Sequence, residues 1–213
     1  MMHSLGLEPA VRRGAFKVAA PVSAPKIRVM GLVNTTITAE RIVEVDAASG
    51  FVEANLGADL LKVAMFDRHN DIGKIVFGFL QGFGARVGAV GLTANLDENT
   101  LLVVGADDQD IALCANALIA AGGGVAIVHN GAVAEKVDLP FGGICSLEPW
   151  QNVGRGLKRL QERLRDMGSP FDKPMFALSF LPFVTLPSLR ITARGLVNAK
   201  ERKIVSLFAA GVA

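Results

Sequence analysis

Five closely spaced glycines in an otherwise apolar segment constrain the fold of this chain more than any other feature. They are Gly78, Gly82, Gly84, Gly88 and Gly91. Glycine inside a strand marks a bulge or the close approach of another backbone, so the spacing predicts a tightly packed, bulged sheet. A ligand that approaches the sheet closely is the alternative explanation. A dinucleotide-binding loop is excluded, because Val87 stands where the third glycine of that motif belongs.

Runs of strand-forming residues predict three hairpins. The first joins residues 74–83 to residues 86–93 at a Gly-Ala pair. The second joins 42–45 to 51–52 across a polar turn. The third flanks an Asn-Gly dipeptide, which is the strongest two-residue hairpin signal, and its strands cover residues 125–128 and 132–137.

Two main helices are predicted with different boundary signals. Residues 109–121 form the first, because Asp107 or Asp108 can cap its free N–H groups and Gly122 can end it. Residues 147–167 form the second, with an apolar stripe that includes Trp150 and a basic outer face. We interpret that basic face as a solvated surface.

The predicted fold class is α+β, with a mixed, largely antiparallel, glycine-rich sheet packed with two main helices. The chain has 213 residues, of which 51% are hydrophobic, and this suits one compact unit. We expect residues 1–25 to form an N-terminal arm, because Pro21 and Pro25 oppose regular structure, and residues 26–213 to form a single domain.

Charge and hydropathy limit the possible partners. A net charge of +2 gives no electrostatic case for nucleic-acid binding. Mean hydropathy is +0.40, yet no apolar run is long enough to span a membrane. No apolar signal-peptide core follows Arg12-Arg13, so we expect a cytoplasmic protein. A sheet this apolar must be covered on both faces or meet another copy, and we therefore expect a homo-oligomer.

Candidate functional residues lie in two polar segments that border the glycine-rich strands. Arg68 and His69 follow a predicted strand, and Asp97, Glu98 and Asn99 lie between two apolar runs. Loops at strand ends commonly carry function, although a solvated loop explains the same residues. Two neighbouring carboxylates can bind a cation or act as general acid and base. The two cysteines and three histidines lack metal-ligand spacing, so neither a metal site nor a cofactor is expected in this chain.

Short motifs spread along residues 16–208 carry a family resemblance. They are Lys62-Val63-Ala64, Arg68-His69, Gly82-Phe83-Gly84, Gly88-Ala89, Val103-Val104-Gly105, Asp107-Asp108-Gln109-Asp110, Gly122-Gly123-Gly124, Leu139-Pro140 with Gly143, residues 176–181, Pro187, Leu189 and Gly195-Leu196-Val197. In order and spacing the chain resembles the C-terminal domain of bacterial and archaeal adenine deaminases.

Two departures separate this chain from that family. Where the family has His-Asp-Ser-His-Asn, this sequence has Leu96-Asp97-Glu98-Asn99-Thr100, so that only the aspartate remains. The resemblance also implies that deamination belongs to an amidohydrolase barrel with a dinuclear metal site. Such a barrel needs several hundred residues and a His-x-His motif, and this chain has neither.

Three functional hypotheses follow. The first is a stand-alone homologue of the deaminase C-terminal domain that binds a purine-like ligand or a partner and has no deaminase activity of its own. The second is a deaminase subunit completed by an amidohydrolase partner in trans. The third is an enzyme of different chemistry that uses Asp97, Glu98 and His69. We favour the first, because adenine hydrolysis needs an activated, normally metal-bound water. Independent activity is therefore not expected, and any that exists would be that of an adenine deaminase-type hydrolase.

Overall fold

The computed structural model describes residues 6–7 and 11–209. The strands of this part of the chain are β1 Val18–Ala19, β2 Lys26–Leu32, β3 Thr38–Glu44, β4 Phe51–Val52, β5 Leu61–Phe66, β6 Ile75–Gln81, β7 Ala89–Leu92, β8 Leu102–Gly105, β9 Gly124–His129, β10 Ala132–Asp138, β11 Leu189–Thr192, β12 Gly195–Asn198 and β13 Lys203–Val205. The helices are α1 Asp108–Ala120, α2 Trp150–Asp166 and α3 Pro174–Ser179, with short 3₁₀ turns at Arg13–Phe16 and Leu56–Ala58.

Eight strands form the central sheet in the order β10-β9-β7-β8-β5-β6-β2-β3. Only the β2–β6 pair is parallel, and the other neighbouring pairs are antiparallel. A smaller sheet has the order β11-β12-β13. The predicted α+β class with a mixed, largely antiparallel sheet and two main helices is confirmed.

Side chains of the central strands alternate between two separate cores. On β5, Leu61, Val63 and Met65 join the core that α2, α3 and the small sheet complete. Ala64 and Phe66 join the opposite core, which α1 and the N-terminal segment complete. Because this chain covers both faces of its own sheet, its high apolar content is accounted for within one copy. A homo-oligomer remains a prediction.

The glycines of the sheet serve close packing of the chain against itself. A Cβ at Gly91 would lie 2.8 Å from Cys114 Sγ and 2.8 Å from a Leu118 methyl group, both on α1. Real Cβ atoms do not approach neighbours this closely, so only glycine lets the helix rest on β7. The interpretation of the glycine spacing as tight packing agrees with this contact.

The hairpin predicted at Gly84 is wrong. β6 pairs with β5 and β2, whereas β7 pairs with β8 and β9, so two strands separate them. The backbone of this segment instead forms hydrogen bonds to another loop: the N–H groups of Gly82 and Gly84 donate to the two carboxylate oxygens of Asp59, at 2.8 and 3.0 Å. The Arg86 N–H then donates to the Met167 carbonyl at the end of α2.

The other two predicted hairpins had different outcomes. The Asn-Gly hairpin is confirmed, since β9 and β10 pair directly. The hairpin predicted between residues 42–45 and 51–52 is wrong, because β3 pairs with β2 and β4 pairs with β1. In this second case the chain does turn between the two strands, but each strand pairs with a different segment and not with the other.

The predicted arm contains regular structure and is anchored to the domain. Residues 1–5 and 8–10 of the arm lie outside the described residues. Phe16 is fully buried against Phe66 and Phe77, and its carbonyl accepts a hydrogen bond from the buried Lys62 Nζ at 2.8 Å. Asn116 on α1 exchanges two hydrogen bonds with the Val11 backbone. The boundary at residue 25 stays a prediction.

The first predicted helix is confirmed, and the second is shorter than predicted. Asp107 caps α1 by accepting from the N–H groups of Gln109 and Asp110. α2 begins only after Pro149, so Leu147 lies outside it and Trp150 stands in its first turn. Both side chains are exposed, which corrects the placement of Trp150 on the apolar stripe. Among the described residues, no helix is long and apolar enough to cross a membrane.

Candidate functional site

The two predicted polar segments meet at one edge of the central sheet. β5 ends at Phe66 and its antiparallel neighbour β8 begins at Leu102, so the loops beside these residues lie next to each other. The Phe66 N–H donates to the Leu101 carbonyl at 2.9 Å, and Thr100 Oγ1 donates to the Phe66 carbonyl at 2.7 Å. Residues far apart in sequence therefore share one surface.

The first loop is organised by Asp67, a residue that sequence reasoning missed. Its buried carboxylate accepts hydrogen bonds from the N–H groups of His69, Asn70 and Asp71, at 2.8, 2.9 and 3.1 Å. The bond from Asn70 does most to lower the pKa of Asp67; burial acts in the opposite direction, and the charge of His69 lowers the pKa further. An aspartate followed by a polar Arg-His-Asn-Asp turn was the available sequence signal.

Arg68 and His69 lie at the surface of this loop. The Arg68 Nε donates to His69 Nε2 at 3.3 Å, and Arg68 Nη1 donates to the Gly142 carbonyl at 3.3 Å. Burial lowers the pKa of the half-buried Arg68, whereas His69 is exposed. Arg68 therefore links the candidate site to the loop that leads into α2.

The second loop turns sharply so that one of its three candidates faces inward. Asp97 and Asn99 have left-handed φ values of 70° and 44°, which aspartate and asparagine tolerate better than most residues. Both are exposed, while Glu98 between them is half-buried. Glu98 Oε2 accepts a hydrogen bond from the Ala193 N–H at 3.4 Å, in the turn between β11 and β12.

The surroundings of Glu98 shift the acidity of its carboxyl group. Burial is the largest cause that raises the pKa of Glu98, and the negative charges of Asp67 and Asp97 act in the same direction. The Ala193 N–H and the charge of His69 oppose this rise. The charges of residues in both loops therefore act on the Glu98 carboxyl group.

A cleft of about 370 Å³ opens beside Glu98. Its apolar wall consists of Val184, Val197 and Ile204, and its charged lining includes Arg194 and Arg202. Of the five predicted candidates only Glu98 lines it. The two arginines were missed because they lie in the turns of the small sheet, remote in sequence from the polar loops.

A buried arginine supports the segment that contributes Val184 to this cleft. Arg190 donates hydrogen bonds to the carbonyls of Phe180, Leu186 and Pro187, and to that of Thr36 on the β2–β3 connection. Burial lowers the pKa of Arg190 to about 10. These bonds fix both ends of the 180–187 segment.

The site residues do not form a metal-binding set. Within residues 6–7 and 11–209, no three His, Cys, Asp or Glu side chains converge as metal ligands. The Asp67 carboxylate already accepts three backbone hydrogen bonds. What the arrangement offers is a carboxyl group of raised pKa, two guanidinium groups and an apolar wall.

Comparisons with known proteins agree with the motifs. The sequence profile described as adenine deaminase C-terminal domain matches residues 35–203. The chain is 34% identical over 210 residues to an adenine deaminase of Clostridium botulinum (strain 657 / Type Ba4), covering 97% of this chain and 35% of that protein. It is 35% identical over 208 residues to an adenine deaminase of Moorella thermoacetica, covering 96% of this chain and 35% of that protein.

A third relative, an adenine deaminase of Brucella melitensis, is 36% identical over 198 residues, covering 92% of this chain and 34% of that protein. The chain thus spans about a third of the length of the curated relatives it matches. Because the profile matches residues 35–203, which is most of its length, this chain belongs to the adenine deaminase C-terminal domain family.

Proposed function

We propose that this domain binds a small purine-like heterocycle in the cleft beside Glu98 and does not deaminate adenine on its own. The observation that carries the proposal is the joint placement of a half-buried carboxyl group and an apolar wall in one cleft of about 370 Å³. Ligand pockets of roughly 300–1,000 Å³ are lined mainly by apolar side chains with a few placed polar groups.

The chemistry of Glu98 suits a nitrogen heterocycle. A purine presents ring nitrogens that accept hydrogen bonds and N–H groups that donate them. A carboxylate accepts hydrogen bonds and a protonated carboxyl group can also donate one, so the Glu98 side chain in either form has a partner on such a ring. Val184, Val197 and Ile204 provide apolar contact for the faces of the ring.

The absence of independent deamination is supported by the residues available. Adenine hydrolysis requires an activated water, and the side chains at this site do not converge on a metal position within the described part of the chain. The relatives named adenine deaminase are about three times as long as this chain. The activity in their name is therefore not attributed to this domain alone.

Calorimetric titration with adenine tests the binding proposal. We expect saturable binding that is lost in E98A and weakened in E98Q, because glutamine keeps the shape but replaces the carboxyl group with a neutral amide. E162Q on α2 is the matched control and should bind as the wild type does. Absence of saturable binding to the wild type would contradict the proposal.

Ammonia release from adenine tests the second part of the proposal. The pure chain should release no ammonia with or without added manganese or iron. Metal-dependent release that a chelator abolishes would show that the chain is a deaminase in its own right.

A second candidate function is that of a subunit completed by an amidohydrolase chain. The observation that favours it is an exposed apolar segment before and at the start of α2, in which Phe141 is 70%, Leu147 84% and Trp150 79% exposed. Large exposed apolar patches mark interaction sites. Arg68 contacts Gly142 in this segment, so a partner seated there would adjoin the candidate site.

Complementation tests this second candidate. The aligned relatives contain about two thirds of a chain beyond the matched region, and that part of the Clostridium botulinum protein is the partner to use. Light scattering should show a one-to-one complex that L147S/W150S abolishes and that I42S, a change to an exposed residue on the edge strand β3, preserves. Self-association through the same segment would instead give a homo-oligomer of this chain. If light scattering shows only a monomer, both alone and when mixed with the Clostridium botulinum fragment, the homo-oligomer and the complex in trans are both contradicted.

A further inference from the structure

The cleft beside Glu98 has a charged group toward each end. The turn containing Arg194 joins β11 to β12, and the turn containing Arg202 joins β12 to β13, so the two turns lie at opposite ends of β12. The four residues of β12 are three steps long, about 10 Å at roughly 3.3 Å per residue, and Arg194 and Arg202 lie beyond its two ends. Glu98 contacts Ala193 and so lies at the Arg194 end. Arg202 belongs to the far end.

The guanidinium groups of this cleft are not used by the fold. Within residues 6–7 and 11–209, neither Arg194 nor Arg202 forms an ion pair or a side-chain hydrogen bond. The contrast with Arg190 is clear, since its guanidinium donates to four carbonyls. Arginine is the preferred side chain for phosphate, because its planar fork can donate two parallel hydrogen bonds.

The backbone conformation of Arg202 is unusual for an arginine. Its φ of 54° lies in the left-handed region, which glycine and asparagine adopt at lower cost than arginine. The side chain nevertheless lines the cleft together with Val197 and Ile204. The neighbouring Lys200 and Lys203 carry the same charge and do not line it.

We infer that the cleft takes a nucleoside monophosphate, with the base at Glu98 and the phosphate at Arg202. This inference rests on the proposed binding of a purine-like heterocycle and specifies the ligand class. The groups at the two ends are separated by the whole length of β12, so a ligand that reaches both needs a spacer, such as a sugar, between its heterocycle and its anionic group. The apolar wall of Val184, Val197 and Ile204 contacts the faces of the base, as in the proposed function, and the sugar carries the phosphate on toward Arg202.

Four probes separate the contributions: adenine, adenosine, adenosine 5′-monophosphate and inorganic phosphate, each titrated calorimetrically into the full chain at one ionic strength. We expect the monophosphate to bind at least about tenfold more tightly than adenosine, the gain of one charge-assisted contact. R202N removes the guanidinium and suits the left-handed backbone, so it should fold and lose this preference. K200Q, an equal change of charge in the same turn, should keep it.

The outcomes distinguish this inference from the proposed function. Equal affinity for adenosine and its monophosphate, or a preference that survives R202N, would overturn the phosphate assignment while adenine binding still stood. Binding of inorganic phosphate with no binding of adenine would assign the cleft to an anion alone and overturn the assignment of the base to Glu98. Failure of all four probes to bind would overturn both proposals.

Discussion

Thr100 Oγ1 donates a hydrogen bond to the Phe66 carbonyl at 2.7 Å, and this bond joins the two loops of the candidate site. Thr100 is fully buried, and its own carbonyl accepts from Asn95 Nδ2 at 2.5 Å. The position of Glu98 relative to Asp67 therefore depends on a bond made by a residue outside the set of candidates.

Removal of this hydroxyl should loosen the second loop. T100V keeps the shape of the side chain and removes its donor, which is expected to cost about 1 kcal/mol in the free energy of unfolding. Hydrogen exchange of the 94–99 amides should become faster, whereas T100S, which retains the hydroxyl, should preserve their protection. Unchanged exchange in T100V would show that the loop is held by other contacts.

Asp67 should make the stability of the domain sensitive to acid. Its pKa is lowered in the folded state, so its contribution is present above the unfolded pKa of about 3.9 and is lost as pH falls through the folded value. The urea concentration at which half of the wild type is unfolded should therefore fall below about pH 4. D67N cannot titrate, and its stability should change less over the same range. Parallel pH profiles of the two proteins would contradict the assignment.

Glu98 should have the opposite effect on stability. Its pKa is raised in the folded state, so the folded protein binds the proton more strongly and stability falls as pH rises above the unfolded pKa of about 4.3. E98Q removes this loss and should raise the urea midpoint at pH 7.5. Below about pH 4 the advantage should disappear. A destabilised E98Q at neutral pH would mean that the carboxylate stabilises the fold.

The buried Lys62 should anchor the N-terminal segment. Its Nζ lies 2.6 Å from Asp108 Oδ1 and 2.8 Å from the Phe16 carbonyl, and its side chain is 1% exposed. K62M removes one partner of a buried pair and is expected to cost about 3 kcal/mol. Limited proteolysis near Phe16 should become faster, and a double-mutant cycle with D108N should show coupling. Additive effects of the two substitutions would indicate that the ion pair contributes little.

The sequence by itself determined features that depend on neighbouring residues. The cap of α1 by Asp107 and the hairpin around Asn130-Gly131 follow from local turn and capping chemistry, and the structure has both. Family membership followed from the order of short motifs along the chain.

Tertiary structure alone decided the strand order and the composition of the site. Gly84 has the conformation of a turn, yet β6 and β7 do not pair, because β5 and β8 take the positions between them. Strand pairing is a competition among distant segments, and no local signal ranks those partners. For the same reason Glu98 and Arg202, 104 positions apart in sequence, line one cleft that neither segment indicates alone.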